Sequence, residues 1–401
     1  MRTAAGFLAL GLALAAAPGC RWMREGRWQV YHDEGQRALE KGRYRDAEEQ
    51  WKAARAVAEG FGPQDPRLGT TLSDLGRLYA LQGRYREAEP LYRRAAEVWE
   101  RAWGAEHPAL GKVLENLATL HHTEGRYAEA ALLYERALAI KRKALGDAHP
   151  DVATTLHHLG TLNRVAGRYG QAEALYLQAL AIREKGLGPK HAAVATSLND
   201  LGSLLRAQGR FEEAKGLVER AVEIWEGSPG PKSLDLARGL DNLGDLWRAA
   251  DALAEAEPLY RRALDIRERA LGPAHADVAA SLNRLALLYR SQGDYARAEP
   301  LYDRAVAIWE TAFGPRHPDL ASGLNNLALL YYAQGRYDEA EPLYRRAIAI
   351  QEEVLGREHP DLAKTLDNYG SLLRKRGHSA QARALERRAT EIRTRHAWQQ
   401  P

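Results

Sequence analysis

Apolar residues return along this chain at helical spacing, in a pattern that repeats itself. Within residues 319–334, Leu320, Leu324, Leu327, Ala328 and Tyr331 fall on one face of a predicted helix. Gly335 ends it, because glycine accepts the left-handed conformation that a helix C-terminus needs. A second helix is predicted at 337–355, with Ala340, Tyr344 and Ala347 on the side that packs against the first, and Gly356 closes it. His359-Pro360-Asp361 then opens the next first helix. Proline loses no hydrogen bond at the first helical position, and the aspartate meets the positive end of the helix dipole.

The same punctuation recurs at Gly42, Gly83, Gly125, Gly167, Gly209, Gly293, Gly335 and Gly377, with Asp251 in the remaining place. The spacing is 42 residues from Gly83 onward and 41 at the first step, which gives nine units over 28–394. A period of this size predicts an all-α solenoid in which each unit packs on its neighbours. Three packing columns run through it: Leu72 to Leu366, Gly76 to Gly370 (glycine or alanine, where helices cross closely), and Ala88 to Ala382. The pattern frays over 226–253, which reads as a hinge or bend. Ser379 and Glu386 replace tyrosine in the last unit, as a wet terminal cap requires.

Composition agrees with this and narrows the chemistry. Ala, Leu, Arg and Glu dominate, and all four favour helix. The chain carries 57 Lys and Arg against 53 Asp and Glu, interleaved throughout, for a net charge of +4. No basic block stands out, which argues against nucleic acid as a partner. Cys20 is the single cysteine, so neither an intramolecular disulfide nor a cysteine metal site can form.

The first residues read as an address. Arg2 is followed by an apolar run from Ala4 to Ala17 and then by small residues, the order of a signal peptide over 1–19. Ala17-Pro18-Gly19-Cys20 resembles a bacterial lipobox, with Ala17 and Pro18 departing from the usual residues. The resemblance implies acylation of Cys20 and a short membrane tether over 20–27; residues 395–401, after the last unit, read as a C-terminal tail. Arg21 is not the Asp associated with inner-membrane retention, so the expected location is the outer membrane of a bacterial envelope. Cleavage without lipid, giving a secreted or periplasmic protein, and a cytoplasmic protein with an apolar leader are the alternatives.

Residues 321–362 carry the repeat most fully, through Leu324-Asn325-Asn326-Leu327-Ala328, Gln334-Gly335-Arg336-Tyr337, Glu339-Ala340-Glu341-Pro342-Leu343-Tyr344 and His359-Pro360-Asp361. This resembles the tetratricopeptide repeat in the long form of kinesin light chains, over nearly the whole chain. The resemblance implies a right-handed superhelical solenoid with a concave groove lined by first helices. Nothing here sustains the heptads that would pair with a motor chain, so a kinesin motor is not an expected partner.

Two polar columns lie early in the first helices, off the packed columns. One contains Asn199, Asn283 and Asn325, and the other Asn116, Asn242, Asn326 and Asn368. A third column, later in the helix, contains Arg164, Arg206, Arg248, Arg290 and Arg374. Asparagine offers a donor and an acceptor to a peptide backbone, and arginine a fork of donors for carboxylates. The resemblance implies that these asparagines grip an extended peptide and that the arginines favour its acidic residues or C-terminus. His158, Asp200 and Arg284 interrupt the asparagine ladder.

No phosphate loop, nucleophile elbow or His-Glu-x-x-His occurs. The histidines of His-Pro-Asp fall at loops and helix starts, and equivalent residues on stacked helices are ~10 Å apart, too far to share a metal. The expected function is therefore a non-enzymatic scaffold without cofactor or metal, binding a protein or extended acidic peptide. A structural subunit or assembly factor of an envelope complex, and a cytoplasmic regulatory protein, are the other readings.

Overall fold

The computed structural model describes residues 18–227 and 234–398, with side chains described from 22 to 395 within that range. Among the described residues there are eighteen helices and no strand, paired into nine units. Units one to four are Pro18–Glu40 with Tyr44–Glu59, Pro66–Leu81 with Tyr85–Trp103, Pro108–Thr123 with Tyr127–Leu145, and Pro150–Val165 with Tyr169–Leu187. Units five to nine are Ala192–Ala207 with Phe211–Gly227, Leu234–Ala249 with Leu253–Leu271, Ala276–Ser291 with Tyr295–Phe313, Pro318–Ala333 with Tyr337–Val354, and Pro360–Lys375 with Ser379–Trp398. The helix expected at 319–334 is Pro318–Ala333, and that expected at 337–355 is Tyr337–Val354.

The chain forms two compact halves, Met1–Gly186 and Leu187–Pro401. Within each, a first helix packs along the second helix of its own unit, which packs in turn on the first helix of the next. Successive first helices also touch in units two to four and again in units five to nine. First helices therefore form a layer of their own in each half. The alanine column is fully buried where the paired helices cross, and Tyr92, Tyr134, Tyr176, Tyr260, Tyr302 and Tyr344 fill the space beside it.

Helix ends follow the punctuation. The glycines after the first helices take positive φ, as at Gly83 (72°) and Gly335 (76°). Asp251 takes the same conformation, with φ 60°, although its side chain disfavours it. The histidines at helix starts do more than the sequence suggests. His107, His149, His191, His275, His317 and His359 are N-caps, each accepting a backbone N–H two residues on through Nδ1. Asp65 does this work in unit two.

The stretch 20–27, read as a tether, is backbone within the helix Pro18–Glu40, and burial begins at Trp28. Residues 1–17 of the leader, the side chain of Cys20, residues 228–233 of the interruption and the last three residues lie outside the described residues. Among the described residues no helix is long and apolar enough to cross a membrane.

Candidate functional site on the first-helix face

Residues of the first polar column take part in the joints between units. In the joint of units three and four, Lys141 is buried and donates from Nζ to Glu115 Oε2 (2.8 Å) and to the Thr155 hydroxyl (2.9 Å). In the joint of units six and seven, Arg267 pairs with Asp241 (2.7 Å) and donates to Ser281. Other joints use an aromatic ring. A Cβ on Gly239 or Gly323 would stand 2.7 Å from the ring of Trp225 or Trp309, so each indole needs a glycine opposite. Glu115 and Asp241 accompany a second-helix cation, and Asn199 and Asn283 accompany a tryptophan.

Several first-column residues also meet the second-column residue of the next unit. Asn242 donates from Nδ2 to Asn199 Oδ1 (2.8 Å), Asn326 to Asn283 (2.9 Å) and Asn368 to Asn325 (3.0 Å). Arg284 and His158, read as interruptions of the ladder, are rungs of it. Arg284 faces Asp241 (3.5 Å) and Asp245 (2.6 Å), and His158 faces Glu115 (3.4 Å). Burial pushes the Glu115 carboxyl up, but His158 and Lys141 overcome it and bring its pKa down to about 2. Asn199, expected off the core, is fully buried. The ladder thus engages one amide group of each rung, while Asn116, Asn242, Asn283, Asn325, Asn326 and Asn368 remain half-buried.

The arginine column behaves differently. Many other described arginines are tied to carboxylates. Arg84 clamps Glu87 (2.7 Å) and Glu48 (2.9 Å), and Arg336 clamps Glu339 (2.7 Å) and Glu299 (2.8 Å). On the second helices, Arg136 pairs with Glu100 (2.6 Å) and Arg304 with Glu268 (2.7 Å). Arg374, exposed in the last unit, pairs with Glu386, the residue that replaces tyrosine there. Arg164, Arg206, Arg248 and Arg290 are half-buried and, among the described residues, have no carboxylate within ion-pair distance. The Nε atoms of Arg206, Arg248 and Arg290 are buried without a hydrogen bond. Three unneutralised guanidinium groups thus recur at one position in units five to seven.

The histidines of units three and four are part of the packing. His121 is buried against Glu89 (3.2 Å), and His122 lies against the Tyr127 ring (5.6 Å). Burial, with His158 and Arg164 nearby, lowers the His122 pKa.

Repeated helical hairpins, glycine-ended first helices and tyrosine–alanine crossings define a helical repeat protein. The tetratricopeptide repeat family model matches at 30–101, 78–143, 124–185, 151–226, 193–269, 240–311, 277–353 and 319–395. The chain belongs to the tetratricopeptide repeat family. Among solved structures it is similar to the apo quorum sensor NprR from B. thuringiensis, with 15% identity, TM-score 0.65, and 86% of this chain and 92% of that chain covered. A Rap protein complexed with Competence and Sporulation Factor gives 15% identity and TM-score 0.61 over 93% of this chain and 99% of that one. Repeats from Podosopora anserina described as those of a kinesin light chain give 27% identity and TM-score 0.44 over 51% of this chain and 97% of that one. No curated protein matches the sequence. A scaffold of this family suggests protein–protein interaction.

Proposed function

We propose that this chain is a non-enzymatic scaffold that holds an extended acidic segment of another protein across its first-helix face. The observation that carries the reading is the column Arg206, Arg248 and Arg290, half-buried, with no carboxylate within ion-pair distance and with each Nε buried without a hydrogen bond. Leaving guanidinium groups half-buried and unpaired is costly unless a ligand supplies the acceptors. Unengaged carbonyls on Asn242, Asn326 and Asn368 add acceptors for a peptide backbone on the same helices.

Fluorescence anisotropy with fluorescein-labelled hexaglutamate tests this. The wild type binds it at low salt, and Arg206→Glu with Arg248→Glu and Arg290→Glu together weaken it at least ~30-fold, about 2 kcal/mol. Equal binding by the two proteins overturns the reading.

The same proposal places the scaffold at a bacterial envelope membrane, held by acyl chains on Cys20, with the outer membrane as the favoured location. Trp22, Met23 and Val30 support it. They are exposed on the first helix, close to Cys20 in sequence. Acyl labelling that persists in Cys20→Ser removes the anchor from the account.

A further inference from the structure

Arg206, Arg248 and Arg290 stand at one position on the first helices of units five, six and seven, 42 residues apart. Side-chain bonds hold these helices against one another. Asn242 donates to Asn199 (2.8 Å), and Arg284 faces Asp245 (2.6 Å). Packed helix axes stand ~8–10 Å apart, so the arginines recur at about that interval. Each lies seven residues, two helical turns, after the first-column residue of its helix, which is Asn199, Asp241 or Asn283. The arginine row therefore runs parallel to the ladder, ~10 Å farther along the helices.

Chain geometry limits what can satisfy such a row. No single carboxylate spans two stations ~8–10 Å apart, so each arginine needs an acidic residue of its own. A β-strand rises ~3.3 Å per residue and turns successive side chains to opposite faces, so its same-face carboxylates fall ~7 or ~13 Å apart and miss the interval. A polyproline II segment rises ~3.1 Å per residue with three residues per turn, so every third side chain shares a face at ~9 Å. That spacing matches one unit of the array. The row also has an end. In unit eight the same position is Tyr332, half-buried, with its ring 5.7 Å from that of Tyr337. An aromatic face there suits a proline of the ligand and not a carboxylate. Arginine returns in unit nine as Arg374, but Glu386 already pairs with it.

We propose that the bound segment is a polyproline II-like chain with an acidic residue at every third position, one carboxylate on each of Arg206, Arg248 and Arg290. The proposal rests on the peptide-binding reading above and adds the spacing that the ligand must carry. The period of the array is read by the period of the ligand. Acidic residues crowded at neighbouring positions bring the same total charge, but one of them reaches a station and the others point off the row. Selection is thus by position and not by net charge.

Isomeric peptides test the spacing at constant composition and charge. The probes are fluorescein-labelled nonapeptide amides of three Glu, three Ala and three Pro. One repeats Glu-Ala-Pro three times. The second, Glu-Ala-Glu-Pro-Glu-Ala-Pro-Ala-Pro, has Glu at every second position, and the third, Glu-Glu-Glu-Ala-Pro-Ala-Pro-Ala-Pro, has them adjacent. By anisotropy with the full chain at low salt, the Glu-Ala-Pro repeat is expected to bind about tenfold tighter than either isomer, because it alone seats every carboxylate. Arg248→Gln removes the middle station. It is expected to weaken the Glu-Ala-Pro repeat about tenfold and the isomers less than about threefold, with helix content unchanged by circular dichroism. If the isomers match or exceed the Glu-Ala-Pro repeat on the wild type, and the triple arginine variant loses all three, the groove stands and the spacing is overturned. Binding of hexaglutamate but of none of the nonapeptides overturns the spacing in the same way. If the wild type binds no probe, or the triple arginine variant binds as the wild type does, both are overturned.

Discussion

Replacing Lys141 by methionine takes a cation out of a sealed joint and keeps roughly its shape. Lys141 is 4% exposed and Glu115 8%, and their charged atoms lie 2.8 Å apart. Removing one partner of a buried pair costs ~3–5 kcal/mol, chiefly because the other charge is stranded. Here Glu115 keeps the Thr155 hydroxyl at 2.7 Å and His158 at 3.4 Å, so the cost of Lys141→Met sits at the lower end, ~3 kcal/mol. Glu115→Gln strands the lysine instead and costs a similar amount. Together the two changes leave no stranded charge, so the double variant loses at least ~2 kcal/mol less than the sum, as expected for residues in contact. Long repeat arrays depart from two-state unfolding. Amide exchange in Pro108–Thr123, Tyr127–Leu145 and Pro150–Val165 is therefore the assay, with urea denaturation beside it. Additivity within ~0.5 kcal/mol would refute the reasoning. The joint is also exchangeable. Lys141→Trp alone collides with the Thr155 side chain, whereas Glu115→Asn, Lys141→Trp and Thr155→Gly together copy Asn199, Trp225 and Gly239 and recover most of the loss.

Asp251→Gly removes the one described non-glycine residue at positive φ and is expected to stabilise unit six by ~1 kcal/mol, read as a higher urea midpoint at unchanged slope. His317→Ala deletes the Nδ1 acceptor for Asp319 N–H (3.2 Å) and is expected to cost ~1 kcal/mol and to raise exchange in the first turn of Pro318–Ala333. The carboxyls of Glu48, Glu89 and Glu115 are held at about 2 against an ordinary 4.5 by their cationic and hydrogen-bonding partners, despite burial that pushes each upward. Their contribution is complete above pH 4.5 and is lost as pH falls toward 2, because folding then competes with proton uptake. Glu115 accounts for ~3 kcal/mol of it, so the stability gap between wild type and Glu115→Gln should close over that range. A gap that stays constant to pH 2 contradicts the assignment.

Period, helix limits and close crossings were legible because each depends on residues near in sequence: Gly335 ends a helix, and Ala340 packs where only a small residue fits. The asparagine columns were legible as a face, but their first task was not. Asn283 and Asn326 meet because one unit is rotated onto the next, and a helical wheel carries no information about that rotation. The choice between Lys141–Glu115 and Trp225–Gly239 joints was hidden for the same reason. The histidine caps left a signal that went unused, since Asp65 stands where later units have His107, His149 or His317.

A crystal structure of the chain with bound hexaglutamate tests the central claim most directly. The account predicts peptide density along Ala192–Ala207, Leu234–Ala249 and Ala276–Ser291, with carboxylates against Arg206, Arg248 and Arg290. Density confined to the second helices, with those three arginines untouched, would contradict it.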